Sequence, residues 1–444
     1  MINDTYLGNK GYTILKSNLT VEQEKQIRND LMITPKVHGV AFCENKTCFP
    51  VYRESNNKMY VPFYYGVENF GPPKSIKLSE GDNINLVFKG SLRENQKPVV
   101  EAFFDNISKD NINGGLFELP CAYGKTVLAL YVIAKLKKKT LIIVHKEFLL
   151  NQWVERISEF LPNAKIGRVQ GQKIDIDDKD IVICMLQSLS MKEYPANLFS
   201  SFGFSIIDEV HHISSEVFSN SLFKIVTKYN LGLSATMERK DGTTKVFKMF
   251  LGNVLFKGKR DESQNVTVRA IEFSVNDDEF NEVKYDYRGN PMFSTMISKL
   301  CAYNRRSEFI LNVLTDLLIE NNDQQIMILA HNKNLLQYLH DAIKHRNIAT
   351  VGYYIGGMKE AALKETETKK IVIATYAMAA EALDIKTLTT LIMATPKTDI
   401  EQSVGRILRD KHSNPIVVDI VDSHDIFKKQ WYKRKTFYKK QNYK

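Results

Sequence analysis

The chain has 444 residues, of which 43% are hydrophobic and 25% are charged. These values are typical of a globular protein with about three domains, and they exclude disordered, collagen-like and disulfide-scaffold proteins. The formal net charge of +10 is unevenly placed, because residues 427–444 hold eight Lys or Arg and no acidic residue.

Three features of the sequence indicate where the protein works. No apolar run approaches the roughly 18 residues that a membrane span needs, and the first residues lack the apolar core of a signal peptide. The five scattered cysteines fit a reducing compartment, and Cys43 and Cys48 lack a second pair that would complete a zinc site. We therefore expect an intracellular, cytoplasmic protein without a membrane partner.

Residues 1–88 predict a small, mostly β N-terminal domain. Thr20 and Gln23 form a capping-box pattern that begins a helix. Short β-prone runs are separated by Asn-containing breaks, which are typical of turns. These runs predict strands at Val37–Phe42, Phe49–Tyr52 and Met59–Tyr65.

From residue 89 the pattern changes to strands that alternate with helices. Continuous apolar strands between helices indicate parallel sheets covered on both faces. We expect one α/β domain over 89–258, a connector over 259–300 and a second α/β domain over 301–426. Strands are predicted at Gly115–Leu119, Thr140–Val144, Ile181–Met185, Phe204–Ile207, Leu231–Leu233, Gln325–Ala330, Ile348–Tyr354, Lys370–Thr375, Thr390–Ala394 and Pro415–Val421. Helices are predicted at Lys125–Lys138, Glu147–Phe160, 305–320 and Asn334–His345.

The C-terminal tail, residues 427–444, interleaves its basic residues with six aromatic side chains. Cations on phosphates and rings on bases suit a nucleic-acid strand, with Lys433, Arg434 and Lys435 as candidates. A solvated basic helix whose aromatic side chains pack on the body of the protein fits the same pattern equally well.

The segment Leu119-Pro-Cys-Ala-Tyr-Gly-Lys-Thr126 lies between a predicted strand and a predicted helix, where a phosphate-binding loop must lie. There, backbone N–H groups would cradle phosphates, Lys125 would neutralise the β and γ phosphates, and Thr126 would ligate Mg²⁺. Only Gly124 remains of the usual glycine pair, because Leu119 occupies the first position. The Gly-Lys-Thr triplet is a weak signal by itself.

An apolar strand ends in two adjacent carboxylates in Phe204-Ser-Ile-Ile-Asp-Glu-Val-His-His212. Asp208 can hold Mg²⁺, and Glu209 can polarise an attacking water. An ordinary acidic strand end has the same pattern, but the Gly-Lys-Thr loop upstream favours the catalytic interpretation. His211 and His212 lack a nearby third ligand for zinc, so we expect them to couple the nucleotide site to the rest of the protein.

Two further motifs follow in order. Leu231-Gly-Leu-Ser-Ala-Thr236 precedes Arg239-Lys-Asp-Gly242, and the second α/β domain holds Gln402-Ser-Val-Gly-Arg-Ile-Leu-Arg409. Arg406 and Arg409 are three residues apart and share one helix face, from which arginines can act on a γ-phosphate. An amphipathic helix with two solvated arginines would explain the last motif alone, but not four motifs in this order.

Together these motifs resemble those of superfamily 2 helicases and translocases. The resemblance covers about residues 89–410 and is strongest to the XPB/UvsW-like branch, especially the DNA helicases of phages and large DNA viruses. The matching segments are Leu92–Gln96 (Q-like), Ala122–Thr126 (I), Val144–Lys146 with Gln152 and Trp153 (Ia), Gln187 and Ser188 (Ib), Asp208–His211 (II), Ser234–Thr236 (III), Ile328–Asn332 (IV), Ala374–Asp384 (V) and Gln402–Arg409 (VI). The departures are at Ala122 and Tyr123 in motif I and at Ala382 in motif V, and none of them removes a catalytic side chain.

The resemblance implies an α/β fold with two tandem RecA-like parallel-sheet domains, preceded by the small mostly-β domain. ATP and Mg²⁺ would bind in the cleft between the two RecA-like domains. The implied roles by residue are catalysis for Glu209, Arg406, Arg409 and Gln402; ATP binding for Gln96, Gly124, Lys125, Thr126 and Asp384; Mg²⁺ binding for Asp208 and Thr126; coupling for Ser234, Thr236 and His211; and nucleic-acid binding for His145, Lys146, Gln187, Ser188 and Thr375, joined by Lys433, Arg434 and Lys435 of the tail.

The function that we expect is that of an ATP-dependent DNA helicase that unwinds or remodels branched DNA in replication, recombination or repair. Single-stranded or branched DNA would be the partner, with an RNA–DNA hybrid or a polymerase complex as further candidates. A monomer is favoured, and a viral or phage protein would act in the host cytoplasm.

Three alternatives stay open. One is an ATP-driven transcript-release factor of viral type. Another is a nucleic-acid-binding protein with an inactive ATPase, which the presence of Lys125, Asp208, Glu209, Arg406 and Arg409 disfavours. The third is a helicase–nuclease fusion, for which the sequence offers no further acidic cluster.

Overall fold

The computed structural model describes residues 4–36, 48–108, 114–120, 122–195, 197–212, 215–239, 241–259, 265–381, 385–408, 412 and 414–444. The chain divides into two compact units, Met1–Lys259 and Arg260–Lys444. Each unit has its own hydrophobic core.

The N-terminal part of the first unit is a small sheet with two helices. Its elements are β1 (Tyr6–Gly8), β2 (Gly11–Leu15), α1 (Val21–Asp30), β3 (Met32–Ile33), β4 (Phe49–Pro50), β5 (Arg53–Glu54), β6 (Lys58–Val61), α2 (Phe63–Phe70) and β7 (Ser75–Ile76). The sheet has the order β5-β6-β2-β1-β7, with β7 parallel to β1 and the other pairs antiparallel. The capping box is confirmed, because the Thr20 side chain accepts from the Gln23 amide and the Gln23 side chain accepts from the Thr20 amide.

The strand predicted at Met59–Tyr65 is wrong in its second half. The strand ends at Val61, and a helix begins at Phe63 after Pro62. Proline cannot donate to a sheet ladder but is well placed at the start of a helix, which explains the switch. Of the other two predicted strands, Phe49–Tyr52 is reduced to a two-residue strand, and Val37–Phe42 lies outside the described residues.

The α/β part of the first unit is built on one large sheet. Its elements are α3 (Lys97–Ile107), β8 (Gly114–Glu118), α4 (Lys125–Leu136), β9 (Thr140–Val144), α5 (Glu147–Phe160), β10 (Ile166–Gln170), β11 (Lys173–Asp175), β12 (Ile181–Met185), α6 (Leu186–Met191), β13 (Phe204–Ile207), α7 (Ser215–Leu222), β14 (Tyr229–Ser234), α8 (Thr244–Leu251) and β15 (Val254–Lys257). The strand order is β11-β10-β12-β9-β13-β14-β8-β15, and every pair except β10–β11 is parallel. The carboxyl ends of these strands therefore share one edge of the sheet.

The second unit contains a parallel sheet in the order β16-β21-β20-β17-β19-β18. Its elements are β16 (Thr267–Phe273), α9 (Asp278–Asn281), α10 (Phe293–Ala302), α11 (Asn304–Glu320), β17 (Gln325–Ala330), α12 (Lys333–His345), β18 (Val351–Tyr354), α13 (Glu360–Glu367), β19 (Ile371–Thr375), α14 (Tyr376–Glu381), β20 (Leu388–Met393), α15 (Glu401–Val404), β21 (Ile416–Asp422) and α16 (Asp425–Lys440). The predicted parallel-sheet architecture is confirmed in both units.

Part of the expected connector belongs to the second sheet. Strand β16 pairs with β21 over seven positions, from Thr267 opposite Ile416 to Phe273 opposite Asp422. Its residues are mostly only partly buried, so they do not form the fully apolar run that identified the other strands. Within the described ranges, no helix is long and apolar enough to cross a membrane.

Candidate active site

The loop before α4 has an unusual backbone. Ala122 and Gly124 both adopt left-handed conformations, with φ of 65° and 92°. A Cβ on Gly124 would lie only 2.4 Å from Nε2 of Gln96, so glycine is required there by both backbone and space. Helix α4 begins directly afterwards at Lys125, and its first N–H groups are therefore available to an anion.

The Q-like segment is fastened to this loop. The Gln96 side chain donates from Nε2 to the Tyr123 carbonyl at 2.8 Å and accepts at Oε1 from the Arg93 amide at 3.0 Å. The Tyr123 hydroxyl donates to the Asn95 carbonyl at 2.7 Å. Tyr123 departs from the family pattern, and it connects the two segments from the other side. These two bonds leave the second amide proton and the second oxygen lone pair of Gln96 unused, and its contact with adenine stays a prediction.

Two adjacent carboxylates follow strand β13. Glu209 Oε1 lies 3.3 Å from Nζ of Lys125, and the Glu209 amide donates to Oδ1 of Asp208 at 3.0 Å. Glu209 has a φ of 49°, which is uncommon outside glycine and is found most often at functional sites. The structure therefore brings together Lys125, Asp208 and Glu209, as the motifs predict.

Asp208 is deeply buried, and only 7% of its surface is exposed. Burial and the neighbouring Glu209 charge raise the pKa of Asp208 to about 6, against the opposing effects of Lys125 and of a hydrogen bond from Trp153. The Trp153 indole N–H donates to Oδ2 of Asp208 at 2.9 Å. The sequence places Trp153 in motif Ia and assigns it no role. A buried indole N–H needs an acceptor, but the sequence does not tell which group accepts.

Motifs II and III are connected through His211. Nδ1 of His211 lies 2.6 Å from Oγ of Ser234 and 3.4 Å from Oε2 of Glu209. Because the Ser234 hydroxyl donates its single proton to the Thr236 carbonyl, His211 is the donor to Ser234. The three predicted coupling residues therefore form one chain of contacts that begins at Glu209.

Arg239 extends this network and was not predicted to be part of the site. Its guanidinium donates to the His211 carbonyl at 2.5 Å and to both carboxylate oxygens of Asp241 at 3.1 and 2.6 Å. The Arg239-Lys-Asp-Gly242 stretch identified the position, but only the structure shows what it holds.

The nucleic-acid candidates of the first unit group at the ends of two neighbouring strands, β9 and β12. The Gln187 side chain donates to the His145 carbonyl at 2.7 Å, and Oγ of Ser188 accepts from the Gly171 amide at 2.9 Å. Burial lowers the pKa of Lys146. The structure brings these residues together, and their contact with nucleic acid stays a prediction.

The candidates of the second unit are described unevenly. Thr375 ends strand β19, and Arg406 lies in a short 3₁₀ helix, Gly405–Leu408, with 5% of its surface exposed. Asp384, Arg409 and the side chain of Gln402 lie outside the described part of the chain.

The basic tail is a helix, and its three candidates separate into two groups. Lys433 and Lys435 are exposed, as nucleic-acid contacts require. Arg434 is instead 1% exposed and forms a two-pronged ion pair with Asp419 at 2.7 and 2.8 Å. The expectation that Arg434 contacts a nucleic-acid strand is therefore wrong, because its guanidinium is buried and already paired.

The residues around Lys125 fit a nucleotide with a divalent cation. The loop, the start of α4 and Lys125 offer donors to phosphate, while Thr126 and Asp208 offer oxygen ligands. A divalent cation would favour the charged form of the buried Asp208, whose pKa is raised. No group of three or more His, Cys, Asp or Glu that could form a separate metal site occurs in the described ranges.

Comparisons with known proteins agree with the motifs. Residues 89–239 match the family model "Type III restriction enzyme, res subunit". The chain is 36% identical to the "Putative ATP-dependent RNA helicase L396" of Acanthamoeba polyphaga mimivirus, over 98% of this chain and 85% of that protein. It is 27% identical to the "Probable helicase D10" of Escherichia phage T5, over 74% of this chain and 70% of that protein. A structural match to the crystal structure of T4 UvsW covers 96% of this chain and 94% of that chain, with 18% identity and a TM-score of 0.36.

The parallel-sheet units, the ordered motifs and the mimivirus relative together define a helicase. The chain belongs to the superfamily 2 helicases, among the helicases of phages and large DNA viruses. Membership of this family implies ATP hydrolysis coupled to the unwinding of nucleic acid.

Proposed function

We propose that the protein hydrolyses ATP at Lys125, Asp208 and Glu209 and uses the energy to unwind or remodel branched DNA. The observation that carries the ATPase part is the 3.3 Å approach of Lys125 to Glu209, beside the buried Asp208. These groups come from two motifs 84 residues apart. Membership of a helicase family supports the hydrolysis of a nucleoside triphosphate as their common purpose.

Each site residue has a distinct role in this proposal. Lys125 and the start of α4 bind the phosphates, and Thr126 and Asp208 hold Mg²⁺, which would neutralise charge on the transferred phosphoryl group. Glu209 accepts a proton from the attacking water. Because Glu209 also pairs with Lys125, phosphate binding at Lys125 would release the Glu209 carboxylate toward that water. His211 would transmit the change to Ser234.

The remaining positive charge in this proposal belongs to the arginines of motif VI. We propose that Arg406 and Arg409 stabilise the γ-phosphoryl group during transfer, as arginine fingers do, and that Asp384 binds the ribose. Hydrolysis removes the γ-phosphate charge that these arginines recognise. The contact between the arginines and the nucleotide is therefore lost once for each ATP that is hydrolysed. One base-pair step of DNA stacking averages about 1.4 kcal/mol, which a single ATP can exceed.

The motifs resemble those of DNA helicases from phages and large DNA viruses, and this resemblance favours DNA as the substrate. Forks, junctions and R-loops are the branched forms of DNA that we propose. His145, Lys146, Gln187, Ser188 and Thr375 would follow the backbone of the strand. The exposed Lys433 and Lys435 add positive charge for phosphate contacts.

RNA is the second candidate substrate, because the names of the mimivirus relative and of an African swine fever virus relative call them RNA helicases. An ATP-driven transcript-release factor would use the same chemistry on a polymerase complex. Base-paired RNA differs from DNA in its groove shape and in carrying 2′-hydroxyl groups, which DNA lacks, so the choice can be measured directly.

Steady-state ATP hydrolysis without nucleic acid, and with single-stranded DNA, single-stranded RNA, duplex DNA and forked DNA, tests both candidates. We expect the largest stimulation with forked or single-stranded DNA, and its loss in Lys125→Ala. Lys135→Ala is a matched control, because Lys135 is exposed on the same helix and lies over the Phe104 ring. Stimulation by RNA alone would replace the DNA proposal with the RNA one. No hydrolysis under any condition would refute the ATPase role.

A further inference from the structure

A short loop after strand β20 is held by several buried groups of the second unit. This loop, residues 394–397, leads directly to Glu401–Val404 and the 3₁₀ turn that carries Arg406. Arg306 donates from Nη2 to the Ala394 carbonyl at 2.8 Å. The Tyr376 hydroxyl donates to the Thr395 carbonyl at 2.5 Å.

The side chains of the loop are held as well. The Thr395 hydroxyl oxygen accepts from the His331 amide at 3.0 Å and lies 2.9 Å from Nδ1 of the same residue. The Lys397 ammonium lies over the Tyr376 ring, 4.7 Å from its centroid. The loop therefore has attachments to motif IV through His331 and to motif V through Tyr376.

Arg434 provides the attachment at Lys397, which among the loop residues 394–397 is the closest to Arg406 in the sequence. Two of its nitrogens, Nε and Nη2, bind the Asp419 carboxylate, and the third, Nη1, donates to the Lys397 carbonyl at 2.9 Å. Asp419 and Arg434 are each 1% exposed. A planar guanidinium binds both carboxylate oxygens with two nitrogens and reaches the carbonyl with the third, a geometry that the single nitrogen of a lysine ammonium does not reproduce.

The burial of Arg434 needs an explanation beyond charge. A buried ion pair is often no more stabilising than apolar residues of the same volume, so stability alone does not account for it. From the C-terminal helix, the guanidinium of Arg434 reaches the loop before motif VI. Ile400, Val404 and Ile407 are each at most 1% exposed, so a displacement of Lys397 passes into a packed segment that has little freedom to absorb it.

We propose that Arg434 is a positioning residue that sets the location of Arg406 through the Lys397 carbonyl. The C-terminal helix then has two faces with different tasks, since exposed lysines bind nucleic acid and the buried arginine aligns the catalytic segment. This inference rests on the proposed role of Arg406 in ATP hydrolysis. It predicts that Arg434 affects the transition state of hydrolysis and not the binding of ATP.

The test compares Arg434→Lys with Tyr438→Phe. Tyr438 donates to Oδ2 of Asp419 at 2.9 Å from the same helix, so Tyr438→Phe removes a buried hydrogen bond without touching Lys397. We expect Arg434→Lys to lower kcat roughly tenfold to a hundredfold, as small misplacements of catalytic groups do, with KM for ATP changed less than threefold. Tyr438→Phe should keep kcat within twofold of the wild type.

A second measurement tests whether Arg434 acts through Arg406. It is the affinity for ADP–aluminium fluoride, which mimics the phosphoryl group during transfer. Arg434→Lys should weaken this affinity by the factor that kcat loses, and it should have no further effect in an Arg406→Ala background. Equal losses in both backgrounds, or a wild-type kcat in folded Arg434→Lys, would overturn the inference.

Two further results separate the possible failures. If Arg406→Ala leaves the affinity for the mimic unchanged, the proposed function of Arg406 fails and the inference fails with it. If only Arg406→Ala has an effect, the inference alone fails. If Arg434→Lys does not fold, Asp419→Asn takes its place in the same experiment. Asparagine has nearly the shape of the aspartate that it replaces, but it lacks the charge that holds Arg434.

Discussion

The hydrogen bond from Trp153 to Asp208 makes a quantitative prediction for Trp153→Phe. The substitution keeps an aromatic ring in the core but removes the N–H that donates to Oδ2 at 2.9 Å. A hydrogen bond to a charged group contributes about 1.5–3 kcal/mol. Asp208 is buried and its pKa is already raised, so the loss falls on a carboxylate with little access to water.

This energy converts into an effect on Mg²⁺. At about 1.4 kcal/mol for each factor of ten, losing it should raise the Mg²⁺ concentration for half-maximal ATP hydrolysis roughly 10- to 100-fold. That range agrees with the cost of losing a hydrogen-bond partner of a metal ligand in other sites. The assay is ATP hydrolysis at fixed total ATP and saturating nucleic acid, with Mg²⁺ varied.

Trp431→Phe is the matched control, since the chain has two tryptophans and the second lies on helix α16. It should leave the Mg²⁺ requirement unchanged. An unchanged requirement in Trp153→Phe would refute the claim that Trp153 prepares Asp208 for the metal. A fall in kcat at saturating Mg²⁺, without a change in the half-maximal concentration, would refute it as well.

Three further predictions follow from the described contacts. Glu209→Gln should lower the rate of ATP hydrolysis at least a hundredfold. It should leave the affinity for ATP equal or tighter, because the phosphates no longer compete with a carboxylate for Lys125. Binding of a fluorescent ATP analogue measures this affinity, and a weaker affinity in the variant would contradict the competition. Replacing Lys433 and Lys435 with alanine should reduce the slope of log affinity against log salt by about 1.8, and an unchanged slope would remove the pair from the interface. Arg306→Leu should destabilise the second unit by about 3–5 kcal/mol in urea unfolding, because it leaves the buried Asp422 unpaired. A loss below about 1 kcal/mol would contradict this cost of leaving Asp422 without its partner.

Much of the α/β architecture could be predicted from the sequence. Strands such as Thr140–Val144 and Gln325–Ala330 are fully buried, so their apolar runs mark them without reference to neighbours. Strand β16 could not be found in this way, because Glu272 and Arg269 interrupt its apolar pattern. Its position follows from pairing with β21, which is a long-range property that local patterns do not contain.

The candidate site also contains residues that the sequence predicts and residues that only the structure shows. Motif order predicts Lys125, Asp208 and Glu209, because these side chains stand at strand ends that a parallel sheet must place on one edge. The partners that tune them, Trp153 and Arg239, lie in other segments and carry no distinguishing spacing of their own. Only the three-dimensional structure shows that one donates to Asp208 and the other to the His211 carbonyl.

The C-terminal helix illustrates why composition can mislead where periodicity does not. Eight basic residues suggest a uniformly cationic tail, yet Phe427, Arg434 and Tyr438 are buried. These positions are seven and four residues apart, which places them on one face of a helix. Arg434 thus falls on the inward stripe by its spacing, although its residue type indicates the surface. Deleting 427–444 would remove this buried face together with the exposed lysines, so a loss of binding in that variant could not be assigned to charge. Substituting exposed lysines and buried Arg434 separately divides the two roles, because only the first should change the salt slope and only the second should change kcat.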